Sequence, residues 1–114
     1  MLAKKFRLTS SSDFKKVQEE GKTFQSTNFG IAILDRKDSK PTRFAFVIST
    51  KVAKDAVDRN TIRRHMSETV RLLTNYIKEG RDVVFLAKTS IIRVPADGIV
   101  REVRTAVKDS GLMK

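Results

Sequence analysis

Two apolar runs decide how this chain folds: Arg43-Phe44-Ala45-Phe46-Val47-Ile48-Ser49-Thr50 and Asp82-Val83-Val84-Phe85-Leu86-Ala87. Each is nearly continuous in apolar side chains, the pattern of a strand covered on both faces. Between them the period changes. Ile62, Met66, Val70, Leu73 and Ile77 recur at the spacing of one helix face, at about 100° per residue. A helix over residues 55–78 is predicted, with Asp55 as its cap and Gly80 as its terminator. Residues 43–88 therefore form a strand, helix, strand unit, and a helix of that length between two covered strands predicts that they run parallel.

Upstream of this unit, Ser10-Ser11-Ser12-Asp13 offers caps to a short helix in which Phe14, Val17 and Gln18 share a face, and Gly21 is its stop. Thr23 to Leu34 alternates imperfectly, with Phe24, Phe29, Ile31 and Ile33 pointing inward, so one or two strands are expected there. The segment from Arg36 to Thr42 is a polar turn. Downstream, Pro95 suits the first turn of a last helix whose apolar face is Ile99, Val100, Val103 and Val107. Residues 1–9 are basic and aperiodic and are expected to lie as an arm across the surface. The fold class is α+β, in a single domain spanning residues 1–114, with no internal repeat or low-complexity tract.

Lys and Arg number 24 against 13 Asp and Glu, a formal net charge of +11 on 114 residues. Solubility needs far less, so an anionic partner is implied, nucleic acid before membrane. No apolar run reaches the roughly 18 residues of a spanning helix, and Met1 to Arg7 lacks the apolar core of a signal peptide. The expected compartment is the cytoplasm, which the absence of cysteine fits.

The positive charge has a location. On the central helix, Asn60, Arg63, Arg64, Ser67 and Arg71 cluster roughly 120° away from the apolar stripe, with Arg59 at the boundary. Spacing of i and i+4 puts Arg59 beside Arg63 and Asn60 beside Arg64, which suits neighbouring backbone phosphates. Lys51 and Lys54 extend this surface towards the helix N-terminus, where backbone N–H groups also favour anions. Arg93, Arg101, Arg104 and Lys108 make a second basic cluster. A charged helix face can be merely solvated, but the whole-chain charge favours polyanion binding.

Catalysis by the polypeptide has little support. His65 is the only histidine, cysteine is absent, and no serine sits in a nucleophile-elbow context. The carboxylates Asp35/Asp38, Asp55/Asp58 and Glu79/Asp82 sit near turns and basic residues, where capping and charge balance explain them. Neither a catalytic residue nor a protein metal site is predicted. Phe14 has two readings, a core aromatic or a partly exposed ring on which a single-stranded base stacks.

Ala56-Val57-x-Arg59-Asn60-x-Ile62-Arg63-Arg64, preceded by Arg43 to Lys54, resembles the signature of the bacterial ribonuclease P protein subunit. Arg7-Leu8, Asp13-Phe14-Lys15-Lys16-Val17, Gly21-Lys22 and Asp82 to Lys88 resemble that family in order and spacing. The resemblance implies an α-β-β-β-α-β-α domain with a mixed four-stranded sheet and a left-handed crossover, where most such crossovers are right-handed. It implies an accessory subunit of an endoribonuclease whose RNA subunit, with magnesium ions, removes the 5′ leader of precursor transfer RNA. The protein would be a monomer in a 1:1 ribonucleoprotein.

Site residues follow from the same resemblance. Lys51, Lys54, Arg59, Asn60, Arg63, Arg64 and Arg71 would face the catalytic RNA, and a cleft including Phe14, Val17, Gln18 and Ala32 would hold the leader. The chain departs from the family pattern at Thr61 and Ser67, where arginine is usual, and at Thr50 and Asp55, where lysine is usual. Gln18 and Ala32 stand where aromatics are frequent. A protein that leans on backbone electrostatics is expected. The other classes weighed are a general RNA-binding protein of ribosomal type and a protein-only nuclease, the latter disfavoured by the lack of a metal-ligand cluster.

Overall fold

Ser10 begins the first helix: its Oγ accepts from the Asp13 N–H at 3.5 Å, and α1 runs Ser11–Glu20. Gly21 follows in extended backbone, and there it is space that requires glycine. A Cβ would lie 2.5 Å from the Val17 carbonyl oxygen and 3.0 Å from that of Ile33. The chain turns straight into β1 (Lys22–Gln25) and β2 (Phe29–Asp35), then β3 (Arg43–Val47), α2 (Ala56–Leu73), β4 (Arg81–Ala87) and α3 (Ala96–Asp109). This computed structural model describes residues 2–114.

The sheet is mixed, in the order β1-β2-β4-β3. β3 and β4 are parallel, with Phe44 opposite Val83 and Phe46 opposite Phe85, while β1/β2 and β2/β4 are antiparallel. The α+β architecture and the parallel pair around α2 agree with the sequence. One sheet face carries Phe29, Ile31, Phe44, Val83 and Phe85 into the main core beneath α2 (Ile62, Met66, Val70) and α3 (Ile99, Val103, Val107). Phe85 is its centre, with Phe46 stacked at 5.1 Å and Phe29 tilted at 5.7 Å between centroids. The opposite face carries a smaller cluster in which Val17 of α1 meets Leu8, Ala32 and Val84.

Four expectations need correction. α2 ends at Leu73 rather than near residue 78, because a 3-10 turn over Thr74–Tyr76 takes over. Ile77 is still buried, since the tighter turn leaves it on the core side. Asp55 occupies the cap position of α2, but its side chain accepts no hydrogen bond from the helix. Phe24 is 38% exposed because β1 is an edge strand. The N-terminal segment lies against the domain: Leu2 and Leu8 are buried, and Arg7 bridges in parallel to Phe44, with the Leu8 N–H donating to the Phe44 carbonyl at 2.8 Å.

Gly80 does not terminate α2. It adopts φ +81° in the turn entering β4, its N–H donates to the Lys40 carbonyl, and its own carbonyl accepts from the Arg36 N–H. A Cβ there would sit 2.2 Å from the Asp38 carbonyl oxygen. Left-handed backbone in a non-glycine residue costs about 1–3 kcal/mol before any clash is counted. Gly80→Ala should therefore lower unfolding stability by at least that amount, read as a lower urea midpoint. An unchanged midpoint would show that the turn between β2 and β3 does not press on this residue.

Asp82, read from sequence as the start of a strand and as a carboxylate in local charge balance, is 2% exposed and anchors a network. Its carboxylate pairs with Arg36 and accepts from Arg43 at 2.9 and 2.8 Å. Burial works against the charge on Arg36, but hydrogen bonds to Asp38 and Asp82 outweigh it and raise its pKa. The hydrogen bond to Asp82 does the same for Arg43, against partial burial. Arg43 also reaches Asp13 of α1 at 3.3 Å, so this network ties β4 and β3 to the first helix.

Candidate nucleic-acid interface

Burial of Ile62, Met66 and Val70 fixes the roll of α2 and decides which side chains face outward. Asn60, Arg64 and Arg71 are exposed, Arg63 is half-buried, and Lys51 and Lys54 stand exposed on the loop before the helix. Arg63 Nη1 donates to Asn60 Oδ1 at 2.8 Å, so Asn60 aims that guanidinium. Arg64, Lys51 and Lys54 have no partner among the described residues, leaving their charge available to an anion. No sequence signal announced the pairing of Asn60 with Arg63 beyond their spacing of three.

Arg59 and Arg71 are placed differently from the other cations. Arg59 donates through Nη1 to the carbonyls of Ala53 and Lys54, at 2.9 and 2.7 Å. Its guanidinium holds the loop that presents Lys51 and Lys54. Arg71 is engaged by Glu68 at 2.9 Å, an exposed i, i+3 pair of small energetic weight. Ser67 is buried and donates to the Arg64 carbonyl, and Thr61 donates to that of Val57. The outward face is thus centred on Asn60, Arg63 and Arg64.

On the other side of the sheet, α1 covers only part of the surface. Val17 and Ala32 are buried where helix meets sheet, so they pack the base of the cleft. Phe14 is half-buried and Gln18 exposed at its rim. Sequence reasoning did not identify the floor beyond them, where Val47 and Leu86 remain partly exposed and the Gln25 side chain lies over Gly30 at 3.3 Å from where a Cβ would be. A glycine there keeps the floor flat. The second basic cluster, Arg93, Arg101, Arg104 and Lys108, is exposed along α3 and the turn before it, with Arg101 3.6 Å from Asp97.

Among the described residues no group of three or more His, Cys, Asp or Glu side chains converges to hold a metal ion. No described helix is long and apolar enough to cross a membrane. What the geometry presents is a rigid cationic helix face on one side and a partly apolar cleft on the other, which suits a polymer with phosphates and exposed bases.

Known proteins share the fold. Solved structures of the ribonuclease P protein from Staphylococcus aureus (TM-score 0.89, 19% identity, covering 96% of this chain and 98% of that one) share this fold. So do those from Thermotoga maritima (TM-score 0.80, 23% identity, covering 90% and 96%). In sequence, the chain is 37% identical to the ribonuclease P protein component of Clostridioides difficile, covering 89% of this chain and 88% of that one. It is 31% identical to that of Clavibacter michiganensis, covering 94% of both. The profile of the family described as Ribonuclease P matches residues 2–111. The chain belongs to the ribonuclease P protein family, and its role is that of a transfer-RNA-processing subunit rather than of a general ribosomal-type RNA-binding protein.

Proposed function

We propose that α2 docks on the catalytic RNA of ribonuclease P through Lys51, Lys54, Asn60, Arg63 and Arg64, while the cleft beside α1 takes the single-stranded 5′ leader of precursor transfer RNA. The observation that carries this reading is the outward face of α2, where Asn60 orients Arg63 and Arg64 is unpaired. Guanidinium forks on a packed helix give short charge-assisted bonds to phosphate with little ordering cost. Arg59 acts through the loop it clamps, and Arg71 adds charge at the far end of the face.

In this reading the polypeptide binds and positions, the RNA cleaves the phosphodiester bond, and the magnesium ions of the reaction are held by RNA. The protein works as a cytoplasmic monomer in a 1:1 ribonucleoprotein. Phe14 offers a ring at the cleft rim, and Gln18 offers an amide where a second aromatic would stack. Leader affinity then comes mainly from the backbone, with stacking at about 1–3 kcal/mol per base confined to Phe14.

Reconstitution with the host's own catalytic RNA tests this. The purified protein alone should cleave nothing, and addition of the RNA with magnesium should restore leader removal, more so for precursors with long leaders than short ones. Cleavage by the protein alone would overturn the division of labour. Equal rates at all leader lengths would remove the cleft from the mechanism.

A further inference from the structure

Beside the basic face of α2 lies a groove of about 450 Å³, between this helix and the turn that leads into α3. Its floor is buried Ile62 and Ile91, and one wall is Ile92, which is 46% exposed although isoleucine gains nothing from solvent. The facing wall is the edge of α2 on which Asp58, Thr61 and His65 follow one another at helical spacing. His65 is half-buried and has no partner among the described residues, so both ring nitrogens and part of a ring face are available. Arg64 and Arg93, each next in sequence to a lining residue, are exposed and unpaired among the described residues.

We infer that this groove receives one unpaired nucleobase of the bound RNA, stacked between His65 and Ile92, with Asp58 accepting from its exocyclic amino group. The inference rests on the RNA-binding reading of α2 and extends it to a site that reads a base rather than phosphate. An apolar floor excludes phosphate, and the Asp58 carboxylate at the mouth repels it. Arg64 and Arg93, each next in sequence to a lining residue, are cations that suit the phosphates before and after an extruded nucleotide. Unstacked bases are recognised in this way, by a planar side chain on the face and polar groups on the edge. Cytosine, adenine and guanine carry the exocyclic amino group that Asp58 accepts from, and uracil offers only its ring N3–H, so the first three are favoured.

Because His65 is the only histidine, its imidazole resonances in the full chain report on this groove alone. Three probes are titrated: short oligocytidylate, oligouridylate, and a ribose-phosphate oligomer of the same length lacking bases. Oligocytidylate is expected to shift the His65 ring signals strongly, oligouridylate weakly, and the oligomer without bases least. Ile92→Ser, an exposed change, should weaken oligocytidylate binding about tenfold, the loss of one stacked base, and leave the oligomer without bases unaffected.

Equal ring shifts with and without bases would overturn the proposal, as would an Ile92→Ser variant that binds oligocytidylate normally. Equal responses to oligocytidylate and oligouridylate would remove Asp58 from the site. If the ring stays still while backbone amides of residues 60–64 respond, the groove is empty of RNA and the α2 surface stands. If neither responds, the reading of α2 falls together with the groove.

Discussion

Asp82→Ala should cost about 3 kcal/mol of unfolding free energy, near the lower end of what breaking a buried ion pair costs. The lower end is appropriate because the arginines left behind are not stranded completely. Arg36 keeps Asp38 and the carbonyls of Lys40, Arg81 and Pro41, and Arg43 keeps Asp13. The loss is still large, since the carboxylate satisfies two guanidinium groups from a site that water does not reach. Urea denaturation should show a lower midpoint at unchanged slope. A loss below about 1 kcal/mol would place Asp82 with ordinary surface ion pairs. Because Arg43 also grips Asp13, the variant should loosen α1 as well, raising hydrogen exchange in Ser11–Glu20 more than in α3.

The double substitution Arg63→Ala with Arg64→Ala should weaken assembly with the catalytic RNA about a hundredfold. Two charge-assisted hydrogen bonds at about 1.5 kcal/mol each supply that factor. The slope of log affinity against log salt should also shrink by about 1.8 on duplex, because two fewer counterions are released. The fold should survive, since Arg64 is exposed and Arg63 bonds only to Asn60. Unchanged affinity at moderate salt would mean that another face carries the RNA. Arg71→Ala is the internal control, expected to do much less because Glu68 already engages that charge.

The strand, helix, strand unit was legible because burial on both sides of a strand and on one side of a helix leaves different periods in the sequence. Periodicity failed where two conformations satisfy it equally: Ile77 continues the α2 stripe, yet it reaches the core through a 3-10 turn. The sector of the basic face was readable from helix geometry, but the employment of each arginine was not. Arg59 lies at the edge of the stripe on any helical projection, and only the path of the preceding loop brings two carbonyls within its reach. Asp82 shows the limit most clearly. Its partners lie 39 and 46 residues away, and no local pattern encodes that three strands end at one carboxylate. The left-handed region at Gly80 was likewise hidden, because the residue that crowds it belongs to a distant turn.

The order β1-β2-β4-β3 places the strand made last between the two made before it. During synthesis, Lys22–Gln25 and Phe29–Asp35 can zip into a hairpin, but Arg43–Val47 has only the Arg7 bridge at Phe44, and no strand of the sheet beside it, until Arg81–Ala87 leaves the ribosome. A nascent chain stopped before that point is a polycation with its greasy surfaces uncovered, in an environment crowded with ribosomal RNA. The sheet is therefore complete only once Arg81–Ala87 inserts between its two neighbours.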